Sequence, residues 1–156
     1  MAAISFKSVG ETSSSEKFKS SATLSLPYGV KTPLRKGAGE LFDMSVDMRD
    51  QVHDNLKNLI LTNAGERLGK HSFGANLRPL MSEKLAKDDF DAQAMSNIKN
   101  SVKSFMPYIE LKDFESRNGP IDPVIGSAQI DVYITYSVDS IGLSNKQIIV
   151  SILPVA

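Results

Sequence analysis

The strongest pattern in this chain is Ala128–Val138, eleven residues in which apolar and more polar side chains alternate throughout. Because successive side chains of a strand point to opposite faces of a sheet, this alternation predicts a β-strand with one buried face. The residues of the predicted buried face are Ala128, Ile130, Val132, Ile134, Tyr136 and Val138. Such a strand needs partners at its sides and an apolar layer over its buried face.

The flanking segments predict the two partner strands. Ile109, Leu111 and Phe114 begin the first, and the turn-rich Arg117–Pro123 connects it to the central strand. A second turn at Gly142–Asn145 leads to a third strand, Lys146–Leu153. Its buried face consists of Ile148, Val150 and Ile152. The three strands form an antiparallel meander.

Three helices upstream supply the covering layer. Their apolar stripes have helical spacing and are Val52, Leu56, Leu59 and Ile60, then Leu77, Leu80, Met81 and Leu85, then Phe90, Ala94, Ile98, Val102 and Phe105. Ser45 or Asp47 caps the first helix, Asp88 and Asp89 cap the third, and Pro107 ends it. The predicted fold class is α+β, with three helices packed on a small antiparallel sheet and an extended N-terminal arm.

The arm is predicted to comprise residues 1–45, and the α+β domain residues 46–156. Eight serines lie within residues 1–25, and Leu26–Gly39 is rich in proline and glycine. Two interpretations remain open, a disordered tail and an arm that becomes ordered on a neighbouring subunit. Large apolar residues between 24 and 42, including Tyr28 and Leu34, favour the second.

The residue types that carry most enzyme chemistry are scarce. The chain has no cysteine and two histidines, His53 and His71, so a thiolate metal site, a cysteine nucleophile and a three-histidine zinc site are excluded. The acidic candidates Glu66, Glu83, Asp88, Asp89 and Asp91 have simpler explanations as helix-terminus or ion-paired charges. We therefore expect no enzyme activity, no catalytic residue, no cofactor and no metal.

Charge and hydropathy limit the partners. Eighteen basic residues balance eighteen acidic ones, and the basic residues form no stripe with aromatic platforms, so we expect no nucleic-acid partner. The longest apolar runs fall short of a membrane span, and the N-terminus lacks a signal-peptide core, so we expect no membrane partner.

The segment Gln51–Gly74 carries a family resemblance. Its residues Leu61, Thr62, Gly65, Glu66, Arg67, Phe73 and Gly74 follow a pattern of a helix, a Gly-Glu-Arg loop and a Phe-Gly ending. This pattern resembles that of the gene-twenty-five-like baseplate wedge family of contractile phage tails. The resemblance extends to Leu77–Leu85, Met106-Pro107-Tyr108-Ile109 and the last strands. The family also includes type VI secretion baseplate components, and the resemblance covers residues 46–153.

The resemblance implies a mechanical role. Members connect the baseplate core to the first sheath ring by strand exchange, as sheath initiators of T-even-like phages do. The implied partners are other baseplate wedge and hub subunits, the tail sheath protein and tail tube proteins. The implied location is the virion tail baseplate, assembled in the cytoplasm of the bacterial host. Some relatives are labelled lysozymes, and one bacterial branch acts as a soluble adaptor, so these remain the alternatives.

One departure from the family pattern affects the predicted site. Many members have Glu-Pro-Arg where this chain has Met106-Pro107-Tyr108, so an apolar contact replaces a charged anchor. The last strand is mostly apolar and weakly protected, so it is expected to be an open edge, or else an ordinary buried strand. The predicted partner-binding residues are Ile148, Val150, Ile152, Met106, Pro107, Tyr108, Glu66, Arg67, Tyr28 and Leu34.

Overall fold

The computed structural model of this protein describes residues 27–37, 41–82, 87–121 and 128–153. The α+β prediction is confirmed, with three helices and two small antiparallel sheets. In chain order the elements are β1 (Gly29–Val30), β2 (Met44–Ser45), α1 (Met48–Leu61), α2 (Arg78–Ser82), α3 (Lys87–Phe105), β3 (Glu110–Ile121), β4 (Ala128–Val138), a 3-10 turn (Asp139–Ile141) and β5 (Leu143–Ile152). The chain divides into two compact units, Met1–Asp54 and Asn55–Ala156. The arm boundary at residue 45 stays a prediction.

The larger sheet has the strand order β3-β4-β5, and both pairings are antiparallel. The predicted meander is therefore confirmed, with the alternating segment as its central strand. Val132, Ile134, Tyr136 and Val138 are buried, as their spacing predicts. Ile148, Val150 and Ile152 of β5 are buried on the sheet face that Val132 and Ile134 occupy, because they pair directly with β4 residues of that face.

The helices bury most of the stripes that their spacing predicts, whereas Met81 and Phe105 are only half-buried. Leu56, Leu59 and Ile60 of α1 are almost fully buried, and so are Ala94, Ile98 and Val102 of α3. The Asp47 carboxylate accepts the Arg49 N–H at 2.8 Å, which identifies Asp47 as the N-terminal cap of α1. α3 begins at Lys87, so Asp88 and Asp89 lie within its first turn. Leu85 lies outside the described residues.

A hydrogen bond fastens α3 to the sheet. The hydroxyl of Ser116, a buried residue of β3, donates to the Asp91 carboxylate of α3. Ile98 of the same helix lines a small cavity with Leu111 and Ile134 of the sheet. The apolar face of α3 is therefore packed against β3 and β4.

The first predicted connection is shorter than expected. β3 continues to Ile121, so Arg117–Ile121 belongs to the strand and not to a turn. Arg117 pairs with Asp131 of β4, and its guanidinium lies 4.7 Å from the centre of the Tyr133 ring. These contacts across the sheet outweigh the turn preference of Asn118 and Gly119. The part of the predicted connection at 122 and 123 lies outside the described residues.

The second predicted turn is three residues too late. A 3-10 turn at Asp139–Ile141 ends at Gly142, whose φ of 63° suits glycine, and β5 already begins at Leu143. Tyr136 pairs with Lys146 while Val138 pairs with Leu143, so β5 carries one extra residue there. Asn145 has a φ of 48° at this β-bulge. The predicted turn residues Leu143–Asn145 are therefore the bulged start of β5.

A two-stranded ladder in the N-terminal unit was not predicted. Gly29 pairs with Ser45 and Val30 with Met44. Asp54 contributes a further contact, since its carboxylate accepts the Thr32 N–H at 2.9 Å. Pairs this short leave no readable period in a sequence, because contacts between distant segments decide them.

Candidate interaction surfaces

The free edge of β5 is the first candidate surface. β5 pairs with β4 on one side, and no other described strand pairs with its second side. An edge strand presents main-chain N–H and C=O groups that another strand can satisfy. Ile148, Val150 and Ile152 point into the core, so any contribution they make to partner binding is through the main chain. Ile149, which is 51% exposed, and Leu153 are the apolar side chains that β5 and its end leave accessible.

The loop between α1 and α2 is held by a network around Glu66. Its carboxylate accepts the Asn63 backbone N–H and the Asn63 side-chain amide, both at 2.8 Å. These bonds, the backbone one first, lower the pKa of Glu66 below its ordinary value. Arg78 adds an ion pair at 3.5 Å. Glu66 is thus held in position as a carboxylate that closes the end of α1.

The same loop returns to α1 through a close approach at Gly74. Ala75 donates its N–H to the Leu59 carbonyl at 3.1 Å, which satisfies one acceptor near the helix end. Gly74 has a φ of 122°, and a Cβ atom there would lie 2.2 Å from the Thr62 carbonyl oxygen. Only glycine fits this position without a backbone shift.

Replacing Gly74 with alanine should destabilise the fold by about 2–3 kcal/mol, because both the left-handed φ and the clash with Thr62 oppose a side chain. Thermal unfolding should show a midpoint lower by about 5–10 °C. Gly69→Ala is the matched control, since Gly69 has a φ of 78° but no atom near its missing Cβ. That control should cost only about 1 kcal/mol. Equal losses in the two variants would contradict a role for the close approach.

An open depression of about 600 Å³ lies beside this loop. Arg67 places its guanidinium 4.4 Å from the centre of the Phe73 ring, and that ring meets Phe105 edge-on at 5.0 Å. Met106 and Tyr108 complete the aromatic and aliphatic side of the wall. Met106 is buried, whereas Tyr108 is 49% exposed, and its partial burial raises the pKa of its phenol.

The structure therefore brings four separately predicted residues, Glu66, Arg67, Met106 and Tyr108, to one surface. Pro107 is exposed between the last two. Sequence reasoning missed three further lining residues, Asn55 and Asn58 of α1 and Thr62 just after its end. Their i, i+3, i+7 spacing was a readable signal of a common helix face.

Tyr28 and Leu34 belong to the N-terminal unit and are 60% and 66% exposed. Several neighbouring apolar side chains of that unit are exposed as well, namely Leu41, Phe42, Val46 and Met48. This unit thus presents apolar surface of its own, and how Tyr28 and Leu34 take part in binding stays a prediction.

Leu68 is the most exposed large apolar residue of the described chain, at 95%. It lies in the loop between Gly65 and Gly69, both of which have positive φ. The loop backbone therefore holds an aliphatic side chain in solvent next to the depression wall at Arg67.

Two other kinds of feature are absent from the part of the chain that the structure describes. Among these residues, no group of three or more histidine, cysteine, aspartate or glutamate side chains is placed to hold a metal ion. Within the same residues, no helix has the length and apolar character needed to cross a membrane.

Comparisons with known proteins find similarity at the level of structure. No family model and no curated protein sequence matches the chain. A crystal structure of a tail lysozyme candidate from Geobacter sulfurreducens has a TM-score of 0.54 at 15% identity, over 70% of this chain and 94% of that one. A chain of the anti-feeding prophage baseplate, solved by cryo-electron microscopy, has a TM-score of 0.51 at 16% identity, over 80% of this chain and 82% of that one. At such identities these similarities show a shared fold.

Proposed function

We propose that this chain is a structural wedge subunit in the baseplate of a contractile phage-type tail, and that β5 accepts a strand from the first sheath ring. The observation that carries the proposal is the open edge of β5, whose inward face is already complete and whose outer main chain has no partner strand among the described residues. The shared fold with a chain of a phage-like baseplate supports the same assignment.

The edge suits strand addition for a physical reason. An added strand satisfies main-chain groups along β5 and extends an existing three-stranded sheet, and pockets for its alternate side chains provide specificity. Edge strands that must remain unpaired usually carry charges or proline within them. In β5 the one charged residue is Lys146, near its start, while Ile149 is exposed in the middle.

The depression around Arg67 and Tyr108 is proposed as the contact with other wedge and hub subunits. Its wall combines aromatic rings, a methionine and a guanidinium, which are the residue types enriched at protein interfaces. Of the two charged residues that line the depression, Glu66 is paired with Arg78, so the guanidinium of Arg67 is the charge that an acidic partner group would meet. This subunit would thereby bind the baseplate on one surface and the sheath on another.

We further propose that the chain is not a hydrolase. Glycosidases that use two carboxyl groups need one with a raised pKa to act as the general acid. Glu66 has the opposite property, since Asn63 and Arg78 stabilise its charged form. Asp91 is engaged by the Ser116 hydroxyl. Glu83 lies outside the described residues.

The experiment that tests this function expresses the chain with the other tail proteins of its own system. Tagged chain should be found at the baseplate by electron microscopy, and omission of the chain should yield no sheathed tails. Purified chain should release no soluble fragments from peptidoglycan, and Glu66→Gln, which keeps the shape of the side chain, should leave assembly largely intact. Peptidoglycan cleavage that Glu66→Gln abolishes would refute the structural role.

A further inference from the structure

A small apolar cavity lies at the C-terminal end of β5. Its volume is about 80 Å³, and it lies between α1, the start of α2 and the last residues of the strand. Ile60, Leu77 and Ile152 form a floor that is at most 3% exposed. Leu61 and Leu153 contribute to the rim and are partly exposed. The cavity therefore adjoins the edge at which an added strand would pair.

The polar side chains that line the cavity already have partners: Ser151 is hydrogen-bonded to Asp131, and Asn63 and Arg78 are engaged with each other and with Glu66. Asn63 donates its side-chain amide to Glu66 at 2.8 Å, and its carbonyl oxygen accepts the Arg78 N–H at 3.3 Å. The Arg78 guanidinium pairs with Glu66. What remains for an occupant is the apolar floor, which favours an aliphatic group over a charged one.

The opposite end of β5 is marked by the bulge at Asn145. On the N-terminal side of this residue the pairing with β4 shifts by one residue, whereas the pairs from Lys146 to Ile152 follow one continuous register. A bulge bends its strand and increases its twist, which terminates regular pairing. The regular edge is thus limited to residues 146–152.

We propose that the strand added to β5 pairs along residues 146–152 and inserts one aliphatic side chain, a valine, isoleucine or leucine, into the cavity floored by Ile60, Leu77 and Ile152. This inference rests on the proposed function. Side chains of the added strand that face the helices lie on the same side as Ile152, so the residue beside the strand end is directed towards the cavity. A slip of one residue would turn that side chain to the other face, so the cavity sets the register.

The absence of cysteine from the chain allows a selective test. Leu61→Cys places a single thiol at the rim, and alkylation with N-cyclohexylmaleimide fills the cavity with a bulky ring. The alkylated full-length chain is added to an extract that contains the other tail proteins but lacks this one. Asn118→Cys, alkylated in the same way, is the matched control, because Asn118 is exposed on β3. Circular dichroism and mass spectrometry verify folding and complete labelling.

Blocking the cavity should weaken the binding of sheath protein to baseplates by about 25-fold, the factor that corresponds to an aliphatic side chain no longer filling a cavity of this volume. Baseplates should still contain the blocked chain. Unlabelled Leu61→Cys is the reference against which the loss on labelling is measured, and labelled Asn118→Cys should assemble as the wild type does.

Three results would overturn the proposal. Normal sheaths from the blocked chain would show that the cavity lies outside the interface. If Val150→Pro still prevented sheath formation in that case, the proposed strand addition would remain supported. Loss of the blocked chain from baseplates would place the cavity at a different contact. Faster alkylation of the Leu61→Cys thiol after removal of residues 154–156 would identify the chain's own C-terminal residues as the occupant.

Discussion

Tails assembled with Val150→Pro are expected to have complete baseplates without sheath. Val150 lies in the regular part of the β5 edge, where it pairs with Val132 of β4. Proline has no N–H to donate, and its ring distorts a strand at any position that takes part in a ladder. Electron microscopy of the particles should show the loss of sheath directly, and sheath protein should no longer co-sediment with baseplates.

Since Val150 is fully buried, its replacement also changes the core. Val150→Ala is the control, because it removes two methyl groups but keeps the N–H. That variant should lose about 1–2 kcal/mol of stability and retain its sheath. Normal contractile tails from a folded Val150→Pro chain would disprove strand addition at this segment. If Val150→Ala also lacked sheath, the loss of sheath would be due to the altered core packing and not to the missing N–H.

Leu56→Ala should produce a large loss of stability. Leu56 is 0% exposed, so the substitution leaves a cavity in addition to the lost transfer free energy. The expected cost is about 2–5 kcal/mol, which lowers the midpoint of thermal unfolding by roughly 10 °C. Differential scanning calorimetry of the purified chain measures both quantities.

Leu68→Ala is the matched control, with the same chemical change at a residue that is 95% exposed. It should alter stability by no more than about 0.5 kcal/mol. If Leu68→Ala also impairs recruitment to baseplates while the chain stays folded, the tip of the loop belongs to the interface. Similar thermal losses in both variants would contradict the burial that distinguishes the two residues.

The sequence predicted best those elements in which one buried face sets the spacing of the apolar residues. The alternation in β4 predicted its bounds and its inward residues, since each inward position of a central strand must be apolar. The helix stripes succeeded for the same reason. The errors lie where contacts between segments outweigh local preference, as at Arg117, which stacks on Tyr133, and at Asn145, whose bulge resembles a turn in sequence.

The candidate surfaces were predicted unevenly. Glu66, Arg67, Met106 and Tyr108 were identified from a family pattern, and nothing in their spacing showed that they share one depression. The pairing of Phe73 with Phe105 joins residues 32 positions apart, which a single sequence cannot reveal. The cavity beside Ile152 was likewise unpredictable, because it arises from three elements that meet only in the folded chain.

The open β5 edge has a consequence for the amounts in which this protein is made. If β5 accepts a partner's strand, as proposed, the same edge should also pair with the β5 of a second copy, and the rate of that self-pairing rises with the square of the protein's own concentration. The rate of capture by the partner's strand rises only in proportion to the concentration of this protein. Productive assembly is therefore favoured when this subunit is synthesised in low amounts relative to its partner, and excess production should divert it into self-paired oligomers.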